Sequence, residues 1–148
     1  MNIADWVLLA NVAAVLVAAA AIVYSVRGLS EQFQMTTFLE YTKRYGQIMA
    51  MLPFDARHPH SDFRLADVSE EERNDFLKTY RDYFNLCWEE WWLREKKKID
   101  EATWAVWVEA MRQTMDFPCF DEAWDALKSE YDPYGDFWSW FKGVRVRN

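Results

Sequence analysis

Residues 7–26 (VLLANVAAVLVAAAAIVYSV) form a run of twenty positions without a charged side chain, and no polar stripe divides it. At about 1.5 Å per residue, a helix of this length spans ~30 Å, the thickness of a bilayer's hydrocarbon core. A core helix of a water-soluble domain would show a polar face at this length. A secretory signal would start with positive charge and carry a shorter apolar stretch. Here the start is Met-Asn-Ile-Ala-Asp, with Asp5 its only charge, and the alanines at 18–21 are the sole imitation of a cleavage site. The pattern predicts a transmembrane helix within residues 1–29, with Trp6 and Tyr24 near its two ends where amphipathic rings favour headgroups.

After the run, the apolar spacing changes to that of amphipathic helices. Phe38, Tyr41, Tyr45, Ile48 and Leu52 step by three and four, predicting a helix over residues 30–52 that continues from the span or is loosened from it at Gly28. Residues 53–68, which hold both histidines and two prolines, read as a loop. Ser69 with Glu72 forms a capping box, and Glu70 and Glu71 suit the positive end of the helix that follows. That helix carries Phe76, Tyr80, Tyr83, Phe84, Cys87 and Trp91 at helical spacing and should end near Lys96 to Lys98. Asp100 is the expected N-cap of a third helix, with Trp104, Trp107, Val108, Met111 and Met115 facing inward. Pro118 breaks it. A fourth helix is expected over residues 120–131, then a short one over 134–141 and a basic tail of Lys142, Arg145 and Arg147. No strand-like alternation competes. The predicted fold is all-α: one N-terminal transmembrane helix (1–29), then a small cytosolic bundle of about four helices (30–148) containing loop 53–68.

Charge orients this arrangement. Arg27, Lys43 and Arg44 follow the span and no basic residue precedes it, so the positive-inside rule places the N-terminus outside and the C-terminal domain in the cytoplasm. Arg27 marks the inner interface. The net charge of −7 lies wholly after Arg27, because Asp5 and Arg27 cancel. An acidic domain has no electrostatic attraction for nucleic acid, and none is expected as a partner.

Within the span, Ala10, Ala14, Ala18 and Ser25 fall near one stripe, where small side chains permit close approach of a second helix. Asn11 could hydrogen-bond across such a contact. Expected partners are therefore the lipid bilayer and a membrane protein or a second copy of this chain.

Aromatic residues make up 18% of the chain, with 9 Trp. Trp88, Trp91 and Trp92 precede Arg94, Lys96, Lys97 and Lys98, a combination that suits a core stripe with Trp92 left outside it, a headgroup-facing segment, or a partner surface built on Trp anchors. Candidate chemistry is sparse. His58-Pro59-His60 with Asp55 and Asp62 lacks a third ligand fixed by spacing, so no metal is expected. Glu70-Glu71-Glu72 and Glu89-Glu90 read as capping and solvated-face charges, since neighbours on a helix point apart. Cys87 and Cys119 have no ligand or redox spacing and read as free thiols on apolar faces. No nucleophile, phosphate loop or dinucleotide fingerprint is present, so neither a catalytic residue nor a cofactor is expected.

The segments Phe38-Leu39-Glu40-Tyr41, Arg44-Tyr45, Tyr83-Phe84-Asn85-Leu86-Cys87-Trp88-Glu89-Glu90 and Ile99-Asp100-Glu101, through Trp104, Trp107 and Met111 to Pro118 and Ala123-Trp124, resemble a widespread family of uncharacterised bacterial proteins with one N-terminal transmembrane helix and a small aromatic-rich helical cytosolic domain. The resemblance covers residues 33–131 and rests on core aromatics and caps. It implies the bacterial inner membrane as location and brings no catalytic residues. The expected function is a single-pass accessory or scaffolding protein whose helical domain binds a membrane-protein partner. The alternative is a membrane-tethered sensor responding to a ligand through loop 53–68.

Overall fold

A single helix, α1 (Ile3–Met51), takes in both the apolar run and the first amphipathic segment. Asn2 and Asp5 cap its start reciprocally: the Asp5 amide donates to Asn2 Oδ1 at 2.9 Å and the Asn2 amide to Asp5 Oδ2 at 2.7 Å. The helix runs through Gly28 without a break. A glycine inside a helix costs only about 1 kcal/mol, too little to end one flanked by good helix formers. The computed structural model describes residues 2–58 and 61–145. His60 of the histidine pair and Arg147 of the basic tail lie outside the described residues.

By their contacts the residues divide into two units, Met1–Thr37 and Phe38–Asn148. In the first, residues 2–27 are exposed throughout, and the helix is long and apolar enough to cross a bilayer by length and composition.

The second unit is all-helical among the described residues. It comprises the end of α1, α2 (Glu70–Glu95), α3 (Glu101–Met115), α4 (Pro118–Leu127) and α5 (Gly135–Arg145), with 3-10 turns at Asp55–Arg57 and Lys128–Tyr134. Each start follows a local signal. The Ser69 hydroxyl accepts from the Glu72 amide while Glu72 Oε2 accepts from the Ser69 amide. Asp100 accepts from both the amide and the hydroxyl of Thr103 at 2.8 Å. Pro118 occupies the first turn of α4, where its missing N–H is no loss. α2 ends in a Schellman turn: the Lys98 amide donates to Leu93 O and the Lys97 amide to Arg94 O, both at 2.9 Å. Lys97 sits there with φ of 52°, the left-handed region that glycine favours.

Aromatic rings fill the core. Phe84 meets Trp124 edge-on at 4.9 Å, Tyr83 at 5.4 Å and Phe141 at 5.9 Å. Phe120 meets Tyr80 at 4.8 Å and Tyr83 at 5.0 Å, both T-shaped. These edge-to-face pairs set the positive rim of one ring against the negative face of the next, adding ~0.5–1.5 kcal/mol each beyond area burial. The segment expected as one helix over 120–131 is two elements. α4 begins earlier at Pro118, and from Lys128 the chain tightens into 3-10 geometry through Pro133. The buried Tyr131 hydroxyl is satisfied there by Asn85 Oδ1 at 2.9 Å.

Candidate functional site

Ala10, Asn11, Ala14, Ala18 and Ser25 fall in a sector of about 100° on α1, and all are exposed. The Ser25 hydroxyl donates to Ala21 O at 2.9 Å, so it carries no unmet donor. Trp6, Tyr24 and Arg27 are likewise exposed.

The tryptophan cluster separates into two roles. Trp88 lies against Tyr134 at 5.3 Å and Trp91 against Phe137 at 5.8 Å, both half-buried on the core. Trp92 is 43% exposed, with the Lys96 ammonium 5.9 Å above its ring. The described part of loop 53–68 is tied down by contacts near its two ends. Ala56 and Leu65 are buried, the Leu65 amide donates to Glu122 at 2.8 Å, and the Cys119 thiol donates to Phe63 O. Cys87 and Cys119 are free and buried. Desolvation pushes the Cys119 thiol up to about 11 and raises Cys87 as well. Among the described residues no group of three or more His, Cys, Asp and Glu is arranged to hold a metal ion.

The reading of Glu89-Glu90 as a solvated pair is corrected by the structure. Glu89 takes a fork of two bonds from the Arg44 guanidinium, at 2.5 and 3.0 Å, and one from the Tyr41 hydroxyl at 3.0 Å. The Arg44 bond holds the Glu89 carboxyl below its ordinary value against the opposing effect of burial. Glu90 is only 6% exposed and has no hydrogen bond or ion pair among the described residues. Burial pushes its carboxyl up to about 8, opposed by Arg44 and reinforced by Glu89. The physical reason is position: Glu90 stands seven residues after Tyr83 and four after Leu86, on the face that α2 turns inward. That spacing is the signal by which the sequence could have shown it.

Glu90 lines a cavity of about 250 Å³ together with Phe38, Tyr41 and Tyr45 of α1, Tyr83 of α2 and Trp107 of α3. The polar ends of two of these rings are engaged elsewhere. The Tyr41 hydroxyl is on Glu89, and the Tyr45 and Thr114 hydroxyls lie 3.4 Å apart. The buried Tyr83 hydroxyl has no partner at hydrogen-bonding geometry, although the Thr114 hydroxyl and Cys87 thiol lie near enough to influence its ionisation. Two rings pack on Trp107: Phe38 stacks on it at 6.5 Å and 5°, and Tyr41 lies tilted against it at 5.2 Å and 31°. The result is an apolar, ring-lined chamber holding one carboxyl with no protein counter-ion of its own. It can host an apolar body and pair with positive charge.

Compared with known proteins, the chain matches no family model, no curated protein and no solved structure.

Proposed function

We propose that this is a single-pass membrane-anchored accessory protein, non-catalytic, whose helical domain is held at the cytoplasmic face of a bacterial inner membrane and recognises a membrane-protein partner or a second copy of itself. The observation that carries this reading is the exposure of residues 7–26. Val7, Leu8, Leu9, Val12, Val15, Leu16, Val17, Ile22, Val23 and Val26 are each at least half exposed. Left in water, ten such side chains would forfeit on the order of 10 kcal/mol, comparable with the whole stability of a domain. Lipid removes that cost. Asn11, whose side chain makes no hydrogen bond among the described residues, favours a neighbouring helix that can answer it. Trp92, exposed beside Lys96, is the member of the tryptophan cluster best placed to meet a partner or headgroups.

Two measurements test the reading. The full chain should pellet with membranes and resist extraction by alkaline carbonate; recovery in the supernatant would end the membrane assignment. Replacing both Ala14 and Ala18 with Leu should reduce co-purification of the partner, or self-crosslinking, while leaving membrane insertion intact. Unchanged association would remove the intramembrane contact.

A second reading is a membrane-tethered regulator that answers to a small ligand. It is favoured by the Glu90 cavity and not by loop 53–68, whose anchors at Leu65 and Phe63 suit a fixed strap.

A further inference from the structure

We propose that the cavity between α1, α2 and α3 binds a compact organic cation of the trimethylammonium type, with Glu90 as its counter-ion and the rings of Phe38, Tyr41, Tyr45, Tyr83 and Trp107 as its walls. The proposal names the ligand class for the regulator reading and rests on that reading for its biological purpose. Its chemistry stands on the cavity alone.

Three features select this class. The volume of about 250 Å³ equals the liquid share of roughly eight waters, enough for a small head and not for a drug-sized body. Five of the lining side chains are aromatic, and a ring that turns its face to a cation attracts it through its quadrupole, most strongly where water is excluded. The polar groups on its wall without a hydrogen bond among the described residues are the Glu90 carboxyl and the Tyr83 hydroxyl. A primary ammonium is a compact, strongly hydrated charge and gives up more hydration on entering an apolar chamber than a quaternary one does. A quaternary ammonium has no N–H, spreads its charge over methyl groups, and needs only ring faces and one carboxylate.

The charged neighbours of Glu90 are accounted for on each element. From α1, Arg44 is committed to Glu89 and Tyr41 donates to the same carboxylate. On α2, Glu89 carries the fork, and Tyr83 and Cys87 remain protonated because burial raises both. α3 contributes Val106, Trp107, Ala110 and Met111 to the wall, none of which titrates. Binding is non-covalent and, below about pH 8, releases one proton: the Glu90 carboxyl gives its proton to solvent as the cation enters, and the ligand is unchanged.

The trimethylammonium group could arrive on a free solute or on a lipid headgroup, and the test separates the two. The full-length protein in maltoside micelles, which contain no choline, is titrated calorimetrically with choline and with its uncharged isostere 3,3-dimethylbutan-1-ol. Choline should bind at least tenfold more tightly than the isostere, with affinity rising roughly tenfold per pH unit below about pH 8 and levelling above it. Glu90→Gln should cost choline at least tenfold and leave the isostere unaffected; Trp107→Leu, a second variant, should weaken choline several-fold. Repeating the titration with phosphatidylcholine in the micelles assigns the source, because competition there identifies the headgroup and an unchanged affinity identifies the free cation. Equal binding of choline and isostere, or a Glu90→Gln variant that binds choline normally, overturns the cation proposal while leaving a ligand site in place. Absence of binding by either compound overturns both the proposal and the regulator reading.

Discussion

Glu90→Gln keeps the side chain's shape and removes its ability to ionise, so it isolates one group in the pH dependence of stability. The folded protein holds the Glu90 proton up to about 8, whereas the ordinary value is 4.5. Between those values the folded state binds a proton that the unfolded state has released. The Glu90 contribution to stability therefore falls as pH rises from about 4.5 to about 8 and is flat on either side. At ~1.4 kcal/mol per pH unit the full interval amounts to about 5 kcal/mol, reduced to on the order of 3–5 kcal/mol by water entering the cavity. Neighbours leave that window clear. Tyr41 is pushed up to about 12, Tyr83 and Cys87 are raised by burial, and Glu89 is held low by Arg44. For a domain of this size, ~1 kcal/mol shifts the melting temperature by about 4 °C. The assay is thermal unfolding of the full chain in micelles, followed by tryptophan fluorescence from about pH 5 to pH 9. The Gln variant should melt close to the unaltered protein at the acid end and roughly 10–20 °C above it at the alkaline end. A gap that stays constant with pH would falsify the assignment of Glu90 as a buried, unpaired acid.

Other substitutions probe separate parts of the molecule. Lys97→Gly relieves a left-handed residue in the Schellman turn and should raise stability by ~0.5–1 kcal/mol, read as a few degrees in melting temperature; a decrease would contradict the turn geometry. Phe84→Ala removes the ring shared by Trp124, Tyr83 and Phe141 and should cost about 3–5 kcal/mol, seen as a drop in the denaturant midpoint. Arg44→Met should cost less than about 1 kcal/mol at neutral pH because the Glu89 pair is about one-third exposed. That cost should shrink in acid, since the pair contributes above the ordinary carboxylate value and is lost as pH falls through the lowered Glu89 value. Both thiols should resist iodoacetamide in the native protein and react in denaturant, and rapid native labelling would contradict their burial.

What the sequence disclosed and what it concealed follow from the range of the forces involved. Ser69, Asp100 and Pro118 mark helix starts because their capping contacts lie within three residues, where spacing alone specifies partners. The step of three and four from Phe38 to Leu52 likewise marks an inward face. α4 was less legible. Ala123, Trp124 and Leu127 fit one helix that could run to Tyr131, but the tightened segment holds its Tyr131 hydroxyl on Asn85, 46 residues away, a contact no local spacing signals. Arg44 and Glu89 are 45 residues apart, so no local pattern pairs them. Once they are paired, Glu90 has lost the nearest cation to its neighbour. A glutamate on an inward face then keeps its proton in place of a counter-ion, and three helices supply five rings around the cavity it lines. A violation of pattern that the surrounding fold accommodates, without supplying a counter-ion, is where an external positive charge has most to gain.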